Sequence, residues 1–82
     1  MEKYILDLKE GKIKLLVDKV EIGYVLFKLS DNKFNILSTI IFDEFKGKGY
    51  AKKLMNYILE YTSKNNYELE YTCSYASNYF KK

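Results

Sequence analysis

The sequence predicts an α/β (α+β) domain: an antiparallel β-meander, then a strand–helix–strand crossover, then a short C-terminal helix. Three observations carry this. Before residue 43, stretches rich in β-branched and aromatic residues are separated by turn clusters at Glu10-Gly11-Lys12, Asp18-Lys19 and Ser30-Asp31-Asn32-Lys33. From Ala51 the apolar residues fall at spacings of three and four, the stripe of an amphipathic helix. Strict alternation then returns between Tyr67 and Cys73.

Taken in order, residues 3–8 read as a short strand, and Ile13 to Val17 alternates except at Leu16. Val20 to Leu29 reads as a strand with Val20, Ile22, Tyr24 and Leu26 on one face. Phe34 to Phe42 carries apolar residues on both faces, Phe34, Ile36 and Ile40 on one and Leu37 and Ile41 on the other. That is the pattern of a central strand covered on both sides. The helix of roughly thirteen residues buries Ala51, Leu54, Met55, Ile58 and Tyr61 or Thr62, leaving Lys52, Lys53, Asn56, Glu60 and Lys64 wet. Asn65-Asn66 ends it, asparagine tolerating the left-handed conformation. The next strand puts Tyr67, Leu69, Tyr71 and Cys73 on one face, and Ser74 caps a helix running to Phe80. A crossover of this kind makes its two strands parallel and is right-handed, so residues 43–50 and Cys73 come to one edge of the sheet.

Eighty-two residues make a single domain, 1–82, with a small core. The net charge of +3 comes from lysine alone and favours anionic ligands. Without histidine the commonest general base and metal ligand is missing, and one cysteine makes neither an internal disulfide nor a zinc cluster. Charges interrupt every apolar run, so neither a signal peptide nor a membrane span is expected, and a cytoplasmic location follows as the default. Lysines do not interleave with aromatics along one strand, which argues against nucleic acid as partner. The expected state is a monomer or weak dimer.

The chemistry concentrates between Lys46 and Ala51. Gly47 and Gly49 let backbone approach a ligand, and the helix that follows offers unpaired N–H groups backed by its dipole. Lys46, Lys48, Lys52 and Lys53 crowd the same helix start, where lysine opposes the dipole; a bound polyanion such as a pyrophosphate removes that conflict. The plainer alternative is a glycine turn among solvated lysines.

The run Lys46-Gly47-Lys48-Gly49-Tyr50-Ala51-Lys52-Lys53-Leu54-Met55 resembles the acetyl-CoA loop of the Gcn5-related N-acetyltransferases. With Thr39, Cys73-Ser74-Tyr75-Ala76 and Tyr79-Phe80, residues 13–80 look like the short, single-domain members of that superfamily. The resemblance implies a minimal acyl-CoA N-acyltransferase fold and acetyl-CoA as cofactor, held by Ile41, Lys46, Gly47, Lys48, Gly49, Tyr50, Ala51 and Lys52. It implies N-acetyl transfer to an amine, on a small molecule or a protein lysine, or a CoA-binding module without catalysis. It places Cys73 near the thioester, with Tyr75 and Tyr79 as acids for the departing thiolate. Packing is the competing role for all three. The chain departs from the pattern in two places: Lys46 replaces the usual Arg or Gln, losing the planar donor fork, and Ser38 stands where the short members carry His.

Overall fold

The computed structural model describes residues 1–80. Five strands, β1 (Glu2–Asp7), β2 (Lys12–Val17), β3 (Val20–Ser30), β4 (Lys33–Ile41) and β5 (Glu68–Tyr71), form one sheet in the order β1-β2-β3-β4-β5. The first four pair antiparallel, and β5 joins β4 in parallel after the helix α1 (Tyr50–Lys64). A second helix, α2 (Ser74–Phe80), follows β5, and one 3-10 turn, Asp43–Phe45, separates β4 from the glycine loop.

Tight turns set the registers. Asp18 and Lys19 both take positive φ, 50° and 72°, the conformation that a two-residue hairpin needs to match strand twist. Asn66, at φ 57°, ends α1 in the left-handed region as its residue type foretells. The helix begins one residue earlier than its apolar stripe, at Tyr50, because Gly49 supplies the N-cap.

Both helices lie on one face of the sheet. Leu54, Met55 and Ile58 of α1 and Ala76 of α2 are fully buried in one core with Ile13, Leu15, Val25, Phe27, Phe34 and Ile36. Burial of a side chain of this size contributes about 1.5–3 kcal/mol. Phe34 stacks on Phe27 at 4.4 Å between ring centroids and meets Tyr61 edge-on. Across the far end of the sheet, Tyr4 stacks on Tyr57 and Lys53 pairs with Glu2, tying β1 to α1.

Two β-bulges overturn the expected faces. Leu15 pairs with Gly23 but Leu16 with Glu21, so Ile22 is an extra residue on β3. Leu26 pairs with Ser38 but Phe27 with Ile36, so Leu37 is an extra residue on β4. An inserted residue moves everything beyond it to the opposite face. Ile22, Val25 and Phe27 are therefore buried, whereas Tyr24 and Leu26 lie on the other face and Val20 is exposed. On β4, Ile41 rather than Ile40 joins the face of Phe34 and Ile36. The second face of β4 is not covered as its apolar content suggests, since both helices take the same side.

Candidate functional site

β4 and β5 pair only from Lys33–Glu68 to Ile36–Tyr71. The expected strand to Cys73 stops at Tyr71 because the N–H groups of Thr72 and Cys73 both donate to the carbonyl of Ile36, at 2.9 and 3.1 Å. Two donors on one acceptor turn the chain away from β4 and into α2. Beyond the Leu37 bulge the two chains have parted. Since the Phe42 N–H donates to Ile22 of β3, alternation aims the backbone groups of Thr39 and Ile41 towards the vacated side.

The opening is a cleft of about 340 Å³. Thr39 and Ile41 form its strand wall, and Phe45, Lys46 and Gly47 its rim. Gly49, Tyr50, Ala51 and Lys52 at the start of α1 close the far end, with Tyr75 of α2 opposite. Sequence thus places Ile41, Lys46, Gly47, Gly49, Tyr50, Ala51, Lys52 and Tyr75 together, and the structure brings all of them to one cavity. Lys48 is exposed and does not line it, and Lys53 turns away to Glu2.

Gly47 and Gly49 hold φ of 79° and 82°, where a side chain is disfavoured, and the space beside each Cα is open. The first intrahelical bond runs from Lys53 N–H to Gly49 C=O. No side chain caps α1, and its first turn holds no acidic residue. Among the described residues, the N–H groups of Tyr50, Ala51 and Lys52 donate to nothing, so three donors and a dipole face the cleft. Lys46 makes a 3.0 Å exposed pair with Asp43, a weak contact that an incoming anion can displace. These features fit a pyrophosphate at the loop, and the free backbone edge of β4 fits an extended amide-bearing arm beside it.

Cys73 sits behind Thr39, its Sγ 3.5 Å from Thr39 Oγ1. The Ser77 N–H donates to Cys73 C=O, so Cys73 rather than Ser74 is the N-cap of α2. Burial pushes the thiol pKa up, but hydrogen bonds from the Thr39 side chain and from the backbone of Ala76, Tyr75 and Thr39 outweigh it and hold the thiol below its ordinary value. Burial raises the Tyr75 pKa, with Tyr79 adding to the effect, so Tyr75 is a neutral phenol at physiological pH. Tyr79 stacks on Tyr75 at 6.3 Å, but its hydroxyl donates to Asn56 Oδ1 at 2.7 Å and does not line the cleft. Ser38 falls on the opposite face from Thr39, across from Leu26, and is half-buried.

Sequence reasoning missed three parts of this site: Phe45, the lining role of Thr39, and the parting of β4 from β5. The first two come with the loop and strand already identified. The third depends on the bulge at Leu37, for which the sequence carries no local signal.

The sheet, the parted strands and the glycine loop at a helix start define an acyl-CoA-type transferase fold. The sequence profile described as GCN5-related N-acetyl-transferase matches residues 12–82, and the chain belongs to that family. Comparison with curated proteins gives no match. Among solved structures, the chain is similar to a GCN5-like protein from Staphylococcus aureus determined by NMR (TM-score 0.74, 23% identity, 96% of this chain and 78% of that one). It is also similar to a ribosomal-protein-alanine N-acetyltransferase from Brucella melitensis (TM-score 0.67, 19% identity, 76% and 52%). A PaiA N-acetyltransferase from Thermoplasma acidophilum in complex with coenzyme A gives TM-score 0.63 at 21% identity, over 68% of this chain and 35% of that one. The fold is that of the GCN5-related N-acetyltransferase family. Among the described residues no helix is long and apolar enough to cross a membrane.

Proposed function

We propose that this protein binds acetyl-CoA in the cleft between β4 and β5 and transfers the acetyl group to an amine. The observation that carries the reading is the parting of the strands after Ile36 beside a helix start with three unpaired donors. Gly47 and Gly49 let the backbone reach the pyrophosphate, Lys46 and Lys52 supply opposite charge, and Ile41 and the Thr39 carbonyl pair with the amide arm. The arm then directs the thioester along β4 towards the Leu37 bulge.

At that position the amine nitrogen attacks the thioester carbonyl, the new C–N bond forms and the C–S bond breaks. Tyr75, held neutral, donates its proton to the departing thiolate and regains one from solvent, and the ammonium proton passes to water because, among the described residues, neither a carboxylate nor an imidazole lines the cleft. Cys73 supports Thr39 from behind. It does not line the cleft, so a covalent route, with Cys73 receiving the acetyl group and passing it on, requires the thioester to reach behind Thr39.

Calorimetric titration with CoA tests the binding step, and thiol release from acetyl-CoA across a panel of amines tests transfer. Absence of CoA affinity in the unmodified protein would remove the whole reading. Affinity without thiol release would leave a CoA-binding module. An acetyl adduct on Cys73 in the mass spectrum would select the covalent route.

A further inference from the structure

Among the described residues, the face of the sheet opposite the helices has no cover. It presents aliphatic residues from five points, Ile5 on β1, Leu16 on β2, Leu26 on β3, and Leu37 and Ile40 on β4. Ile5 is 38% and Leu37 40% exposed, large values for such side chains in the middle of strands. Lysines alternate with them instead of ringing them. The register sets Ile5, Lys14, Tyr24 and Ile40 in one row across four strands, and Lys12 and Leu26 in the next. Lys12 lies over the Tyr24 ring at 4.5 Å, and Lys28 extends the basic side along β3. Lys3, Lys12, Lys14 and Lys28 form no ion pair among the described residues. Asp7 and Glu21 are the carboxylates on the β1–β3 part of this face, and Asp7 already accepts from the Glu10 N–H.

We propose that this open face docks an acidic amphipathic segment of another polypeptide, its aliphatic side chains on Ile5, Leu26 and Ile40 and its carboxylates on Lys12, Lys14 and Lys28. Charge selects this occupant. A second copy of the chain packed face to face would set lysine against lysine, which like-charge repulsion disfavours. A bilayer pressed onto the face would bury Lys12 and Lys14 in hydrocarbon, since they stand among the apolar residues. A single-stranded nucleic acid gains most from aromatic platforms, and the apolar residues here are mainly aliphatic. An acidic amphipathic segment satisfies both halves of the pattern, burying aliphatic surface and pairing the three ammonium groups of Lys12, Lys14 and Lys28. The inference stands apart from acetyl transfer, because none of these residues lines the cleft.

The probe is a fluorescein-labelled helical peptide with leucine at heptad-spaced positions and glutamate elsewhere, titrated by anisotropy against the full chain. A lysine/leucine peptide of the same pattern, phosphatidylserine vesicles and polyuridine serve as comparators. Saturable binding of the glutamate peptide is expected, weakened by salt and about tenfold weaker in K12E/K14E. The neutral exposed-site variant Ile5→Ser weakens it through the apolar half alone. Amide shifts in the unmodified, labelled protein are expected at Ile5, Lys14, Tyr24 and Ile40, with the CoA titration unaltered. Shifts confined to α1 and α2, equal affinity for the lysine/leucine peptide, or tighter binding of vesicles or polyuridine would overturn the proposal.

Discussion

The two halves of β4 are built from similar residues and do different work. From Lys33 to Ile36 the strand is paired on both edges, with β3 on one side and β5 on the other. Phe34 and Ile36 there are fully buried. From Leu37 to Ile41 it keeps β3 but has lost β5, and its residues are half-exposed. The change falls at one extra residue, Leu37, opposite the point where two N–H groups converge on the Ile36 carbonyl. A continuous sheet is thus opened by one inserted residue, and the backbone groups released become the wall of the cleft. Stability resides in the first half and ligand recognition in the second, so substitutions in each half should affect different measurements.

The largest effect belongs to the closed half. Phe34→Ala removes a fully buried ring that stacks on Phe27 and meets Tyr61 edge-on. A loss of about 3–5 kcal/mol is expected, against a total stability for such domains of about 5–15 kcal/mol. Urea denaturation followed by circular dichroism measures it. A cost below about 1 kcal/mol would mean that this half is not the anchor.

Gly49→Val addresses the open half. The backbone at φ 82° resists a β-branched residue at a cost of about 1–2 kcal/mol, but no neighbour within 4 Å obstructs the new atoms. The fold should therefore survive while CoA affinity falls by about a hundredfold or more, because the side chain occupies the space where backbone meets pyrophosphate. Calorimetry on the folded variant separates the two effects. Affinity within about threefold of the parent would exclude the loop as the anion site.

How much of this contrast the sequence reveals depends on the range over which each feature is encoded. The glycine loop, the helix stripe and the turn at Asp18-Lys19 are local, and residue types alone locate them. Cys73 and Lys46 were brought to one edge by a topological rule that needs only the order strand, helix, strand. The bulges at Ile22 and Leu37 are set by tertiary packing, and an extra residue leaves no mark in a run of apolar side chains. Simple alternation therefore misassigned Ile40, Tyr24 and Leu26 to the wrong face. Tyr79 shows a related limit: its spacing from Tyr75 puts the rings together, but only the position of Asn56 on α1 decides where its hydroxyl points.

Thr39→Val probes the link between the open strand and Cys73. Losing the hydroxyl contact at 3.5 Å leaves burial less opposed, so the thiol pKa should rise towards its ordinary value or above. Below that pKa the thiolate fraction falls, and alkylation by iodoacetamide at neutral pH should slow. A thiol whose folded pKa is depressed adds stability above the unfolded pKa and loses it as pH falls through the folded one. The ionisation of Cys73 should thus add nothing to stability well below its folded pKa, whereas above the ordinary thiol pKa the variant should be the less stable. An unchanged alkylation profile would mean that the backbone donors of Thr39, Tyr75 and Ala76 set the thiol without the hydroxyl.

The smallest effects separate lysines that composition alone cannot rank. Lys52 lines the cleft, whereas Lys48 points to solvent although it sits between the two loop glycines. An exposed charge beyond about a Debye length from a bound phosphate is screened at physiological salt, whereas one at the cavity wall is not. Lys52→Gln should weaken CoA binding by about three- to tenfold, and Lys48→Gln by less than about twofold at 0.15 M salt. Lowering the salt should bring the two variants closer together, since the Debye length then reaches Lys48. Equal losses at physiological salt would mean that the phosphates lie outside the cavity, over the loop, and the pyrophosphate would have to be moved from the start of α1 to the surface above Gly47.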